Sequence, residues 1–115
     1  MSMELLVPGD RLLVVNRRLY ERDDNRLFVG EVEAFHEGII RITGYTFVRD
    51  VLGGTIHRKS EPRTKLLSLT AGTLLVYVLP QTLQLNDVTI ECDEARTWLT
   101  DGDRFSMNLS EWVRK

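Results

Sequence analysis

The chain is poor in the residues from which most catalytic and metal sites are built. Its 115 residues contain one cysteine and two histidines. A single cysteine, Cys92, excludes an intrachain disulfide, so the core must hold the fold, and a reducing compartment is expected. No histidine or lysine neighbours Cys92, so it reads as a small strand residue and not as an activated thiol. Long apolar runs are also missing. The longest, residues 74–79, is far short of the roughly 20 residues that span a bilayer as a helix. Residues 1–10 carry Glu4 and only Leu5-Leu6-Val7 as an apolar stretch, too little for a secretory leader. The expectation is a cytoplasmic protein without a membrane segment.

The usual signatures of chemistry are missing as well. Metal binding needs several ligands at usable spacing. Here His36-Glu37 falls on a turn, and His57 precedes the cations Arg58 and Lys59. No Gly-x-Ser-x-Gly elbow appears. Gly53-Gly54 is followed by neither Lys-Ser/Thr nor a helix, which excludes the common phosphate loops. Glu31 and Glu33 share a strand face, but a spacing of two is what any solvated strand gives. No catalytic residue, cofactor or metal is assigned, and the chain is expected to be no enzyme.

What is present is alternation. Period-two segments recur with turn signals every eight to twelve residues, the pattern of an all-β sandwich or small barrel. Expected strands cover 11–15, 27–35, 39–49, 55–59, 65–69 and 73–79, with a last hairpin pairing 96–99 with 104–109. Leu12 to Val15 reads as buried on both faces. Phe28, Gly30, Val32 and Ala34 share the better core face of their strand. His36-Glu37-Gly38 is expected to be a three-residue hairpin loop, and Thr70-Ala71-Gly72 and Thr100-Asp101-Gly102 repeat its chemistry. Thr70-Ala71-Gly72 is expected to join its flanking strands as a hairpin. Asn86-Asp87 reads as a turn or a break. Residues 16–26 form a charged loop, 60–64 a loop between two halves of one fold, and Ser110 a cap for a short C-terminal helical turn. No long segment has helical periodicity. The prediction is one domain over 1–115, a barrel or sandwich of about seven to nine strands. Gly30 and Gly44, in mid-strand, would permit the sharp bends of a small barrel.

Residues 27–48, with a mid-strand glycine and a hairpin ended by glycine, resemble the central strand pair of SH3-like and Sm-like barrels. That resemblance implies a fold only. The aspartate-then-asparagine pocket of the Sm-like RNA binders is missing, and no function is carried over. Arg18-Leu19-Tyr20-Glu21-Arg22 resembles one half of the cyclic-dinucleotide signature of PilZ barrels, but the Asp/Asn-x-Ser-x-x-Gly half has no counterpart.

Net charge is −2, yet its distribution is uneven. Residues 41–65 hold six Lys/Arg against two acids, net +4; residues 87–103 hold six acids against Arg96, net −5. The two stretches could pair on neighbouring strands. The candidate site is the basic stretch with its aromatics: Tyr45, Phe47, Arg49, Arg58, Lys59, Arg63 and Lys65. Arginine beside exposed aromatics suits protein interfaces and single-stranded nucleic acid alike. Two functions follow. One is a non-enzymatic interaction module that self-associates, as a homodimer, or binds a protein partner through a strand face and the basic loop. The other is a nucleic-acid or nucleotide-binding barrel.

Overall fold

Long alternating strands build two antiparallel sheets here and stop short of a closed barrel. The structure, a computed structural model, describes residues 5–16, 26–49, 56–93, 96–102 and 104–109. Of the charged loop expected at 16–26, residues 17–25, with Arg18 and Arg22, lie outside them, as do the turn at 50–54 and the cap at Ser110, while Asn16 and Arg26 are strand ends.

The strands are β1 (Arg11–Asn16), β2 (Arg26–His36), β3 (Ile39–Arg49), β4 (Ile56–Arg58), β5 (Arg63–Ser68), β6 (Leu74–Leu79), β7 (Thr89–Cys92), β8 (Thr97–Thr100) and β9 (Ser106–Asn108). A six-stranded sheet runs β4-β3-β2-β1-β6, with β5 also on β3, and a three-stranded sheet runs β7-β8-β9. A 3-10 turn, Leu85–Asp87, leads into the second sheet. The all-β reading holds.

The first sheet has apolar residues on both faces, and each face has its own core. One face gathers Leu12, Val14, Phe28, Val32, Ile40 and Ile42, with Leu67, Leu69, Leu74 and Val76 packed against them. Leu67 belongs to β5 at one end of the sheet and Val76 to β6 at the other. A flat sheet cannot bring its two ends together on one face, so this sheet curls, and that cluster fills the inside of the curl. The other face carries Leu13, Val15, Leu27, Val29 and Phe47, which pack against Leu83, Val88, Ile90, Leu99 and Leu109. The second sheet is therefore a cover on the outside of the curl. This explains why β1 is buried on both sides, as its uninterrupted apolar run predicts.

Within the curl, Gly30 stands opposite Gly44. A Cβ on Gly44 would strike the backbone of Val29 and Gly30, closer than real Cβ atoms come. The two chains approach there because neither carries a side chain.

Several expected details change. The hairpin at Glu37-Gly38 has a two-residue loop, with His36 paired to Ile39. Glu37 and Gly38 both adopt positive φ, 49° and 82°, as a type I′ turn requires. The register shift of this hairpin lies instead between Val32 and Ala34. It turns Ala34 out of the core face assigned to it, and Ala34 is exposed. Residues 65–69 and 73–79 do not pair as a hairpin: β5 lies on β3, and β6 lies on β1. The glycine at 72 does take a positive φ of 77°, but the turn swings the chain from one edge of the curl to the other. Residues 60–64 are not a loop between halves. Lys59 N donates to Thr46 O at 2.8 Å, continuing the β4 register. Arg63 then faces Gly44. Two steps along β3 answer four on the returning chain, so β4 and β5 form one return strand with two extra residues at its break.

The opening turn is tied down by Asp10. Its carboxylate accepts from Val7 N at 3.0 Å and from Gln81 Nε2 at 2.7 Å. Beside it, Arg11 pairs with Glu31 at 2.9 Å and donates to Leu83 O at 3.1 Å.

Candidate functional site

The basic stretch runs along the return strand opposite β3, and strand alternation divides its side chains between two surfaces. On β4, Arg58 faces Phe47 and His57 faces Val48. Arg58 is thus directed to the side where the second sheet packs, and His57 and Lys59 to the inside of the curl. On β5, Arg63, Lys65 and Leu67 occupy one face, and Leu67 packs in the inner cluster, so Arg63 and Lys65 share that inner side.

The first surface is structural. Phe47 is 1% exposed and belongs to the core between the sheets. It is not part of an exposed patch, because the second sheet covers its face of β3. Tyr45 packs against the same core. The Arg58 guanidinium lies 4.6 Å from the centre of the Tyr45 ring. Arg58 donates to the carbonyls of Asn86 at 2.8 Å and Leu85 at 3.4 Å. The Tyr45 hydroxyl donates to Asn86 Oδ1 at 3.1 Å. Together these bonds pin the 3-10 turn, and with it the start of the second sheet, onto the curl. Arg49 ends β3 opposite Ile56. Arg58, from the basic stretch, thus bonds main-chain carbonyls just ahead of the acidic stretch. In the acidic stretch, Asp93 and Asp101 accept N–H groups of their own turns, from Arg96 at 2.8 Å and from Arg104 and Phe105 at 3.0 Å.

The second surface is a cationic mouth at one end of the curl. The break between β4 and β5 opens a cavity of about 380 Å³ lined by Thr46, Lys59, Ser60, Glu61 and Arg63. The Lys65 ammonium lies 4.7 Å from the centre of the Phe28 ring. Burial, and then the charges of Arg26 and Arg63, hold it below its ordinary pKa of 10.5. Burial is the larger cause, and the two guanidiniums add to it as like charges nearby. Glu61 is the carboxylate at hand, 3.0 Å from Arg63. Both partners of that pair are largely exposed, so it is a weak contact. Lys59 and Arg63 thus line the cavity with Glu61 and the hydroxyls of Thr46 and Ser60, and Lys65, with the charges of Arg26 and Arg63 near it, lies beside that lining on the same inner face.

Of the expected residues, Lys59, Arg63 and Lys65 come together, while Tyr45, Phe47 and Arg58 go to the opposite side of the sheet. Arg26 starts β2, in a segment read as charged loop, and its charge acts on Lys65. Its signal was present: counting back by two from Phe28 along the core face gives Arg26. A smaller groove of about 210 Å³ lies at Ile56, Ile90, Glu91 and Cys92. Among the described residues no group of three or more His, Cys, Asp or Glu side chains is gathered as a metal site, and no helix is long and apolar enough to cross a membrane. No family model matches the chain, and no curated protein or solved structure is similar to it.

Proposed function

We propose that the protein is a non-enzymatic interaction module that docks an anionic partner on the cationic mouth of its curled sheet. The observation that carries this reading is the cavity at the break between β4 and β5, lined by Lys59 and Arg63 with Glu61 as the nearby counter-charge, and with Lys65 next to Arg63 on the same face of β5. Like charges held together cost stability. An anionic partner reverses the sign of that term. The aromatic platform expected of a single-strand binder is weakened, because Phe47 is core and the Tyr45 ring carries Arg58. Nucleic acid would then be held by its phosphates alone, without base preference.

The test is titration with fluorescein-labelled polyglutamate and with single-stranded DNA homopolymers at low and high salt. Saturable binding that weakens steeply with salt and is lost in Lys59→Gln/Arg63→Gln/Lys65→Gln supports the reading. DNA binding that depends strongly on base identity, or binding unchanged in the triple variant, overturns it.

Self-association has its own observation. Ile39 is 48% and Leu66 70% exposed. They are diagonal neighbours across β3 and β5, since Ile39 pairs with Ser68 and Arg41 with Leu66. In this second reading the pair forms the centre of a homodimer contact in the cytoplasm. Light scattering during size exclusion tests it: a strict monomer at high concentration removes it.

A further inference from the structure

We propose that the cationic mouth is a site for a small phosphomonoester, and that Glu61 acts as an internal competitor for it. The inference rests on the mouth being the working surface and names the class of ligand it takes.

Three observations lead to it. The cavity, about 380 Å³, has the scale of a small-ligand pocket. It suits a compact anionic head better than an extended chain. Its lining supplies charge and hydroxyl donors, from Lys59, Arg63, Thr46 and Ser60. Lys65 lies beside this lining, next to Arg63 on the same face of β5 and over the Phe28 ring. The aromatic rings nearby are not offered as stacking surfaces: Phe28 lies under Lys65, and Tyr45 lies under Arg58. Recognition here works through charge and hydrogen bonds and ignores any flat base. A phosphomonoester dianion matches several cations at once and accepts hydrogen bonds on its three terminal oxygens.

The third observation is the position of Glu61. Its carboxylate sits 3.0 Å from the Arg63 guanidinium while lining the cavity. It shows where an anionic oxygen rests on Arg63. The pair is 62% and 71% exposed, so solvent screens it and an incoming dianion displaces it at little cost. Binding then frees a carboxylate and relieves the crowding around Lys65. Glu61 sets the affinity from below: a ligand must outcompete it.

The test is titration of the ¹⁵N-labelled full chain with glycerol 2-phosphate, inorganic phosphate, ATP and glutamate. Saturable shifts are expected at the amides of Thr46, Lys59, Ser60, Arg63 and Lys65 for the phosphate compounds, with glutamate far weaker. Glu61→Gln should tighten glycerol 2-phosphate binding three- to tenfold. Arg63→Gln and Lys65→Gln should weaken it tenfold or more while their spectra stay folded. Comparing inorganic phosphate with glycerol 2-phosphate and ATP separates a bare phosphate site from one that also holds the ester. No saturation, shifts centred elsewhere, or unchanged affinity in Glu61→Gln each overturn the proposal. If polyglutamate still binds in a salt-dependent way, that failure belongs to the phosphomonoester assignment alone; if both ligands fail, the mouth is not the working surface.

Discussion

Replacing Gly44 with alanine should be among the most damaging single-methyl changes this protein can suffer. The added Cβ meets the carbonyl oxygen of Val29, the Cα of Gly30 and the carbonyl carbon of Val29. All three are backbone atoms of the paired strand, so no side chain can rotate away. An extra methyl in a well-packed core costs about 1–3 kcal/mol where side chains can adjust. Here β2 and β3 must separate at the Gly30–Gly44 pair, which puts the cost at about 3 kcal/mol or more. A domain of this length has roughly 5–15 kcal/mol in total. With a urea slope of about 2 kcal/mol per molar, the midpoint should fall by about 1.5 M. Two controls calibrate the reasoning. At Gly30 two of the three closest atoms belong to the side chains of Ile42 and Phe28 and one to the backbone of Thr43, so Gly30→Ala should be milder. At Gly72 nothing lies within 4 Å and only the positive φ of 77° is strained, so Gly72→Ala should cost about 1 kcal/mol. Urea unfolding followed by tryptophan fluorescence ranks the three. A Gly44→Ala midpoint equal to that of Gly72→Ala would refute the account of the curl.

Three further perturbations separate the two sides of the sheet. Arg58→Ala should cost about 1 kcal/mol of stability, from the Tyr45 stack and the bonds to the 3-10 turn, and leave glycerol 2-phosphate affinity unchanged; urea melts and the titration above check both. Asp10→Ala should cost about 1–3 kcal/mol, because Val7 N and the Gln81 amide lose a buried acceptor, and hydrogen exchange should quicken at Val7. The third is a pH effect. Lys65 is held below 10.5 in the folded state, so the unfolded chain binds more protons as pH rises from the lowered value toward 10.5. Stability from this group therefore increases with pH across that window, and the penalty is full below it. Lys65→Gln should abolish that rise. A wild-type-minus-variant stability difference that stays flat up to pH 10.5 would contradict it.

Much of this architecture is legible in the residues because alternation is local. The bounds expected for β3, 39 and 49, coincide with those found, since a long run of alternating apolar and polar residues ends at charge and glycine. The double burial of β1 follows from four consecutive apolar residues. Pairing is less legible. Thr70-Ala71-Gly72 has the chemistry of a tight turn, yet the strands on either side pair with β3 and β1. Turn chemistry dictates the local φ of Gly72 and says nothing about which open edge each strand will find. Those edges exist only after β1, β2 and β3 have formed.

The candidate site shows the same limit from the other direction. Tyr45, Phe47, Arg58, Lys59, Arg63 and Lys65 are close in sequence, and nearness in sequence suggests one patch. On a strand, neighbours point to opposite faces. Arg58 and Lys59 are adjacent residues with different employment: one ties the covering sheet down, the other lines the mouth. The break at 60–62 then matters. Its two extra residues leave Arg63 on the same inner side as Lys59, although the two strand segments are out of register. Without an insertion, a continuous strand opposite Gly44 would place residue 61 where Arg63 now stands. Glu61 would then lie on the inner face, and the charge balance there would change. The break thus exchanges a carboxylate for a guanidinium at that position and opens the cavity beside it. Deleting Pro62 and Arg63 together should restore a continuous register and bring Glu61 opposite Gly44, with Thr64 and Lys65 keeping their partners on β3. If the cations are gathered by this break, the deletion removes phosphomonoester binding while the shifts of β1 and β8 amides remain those of the folded wild type.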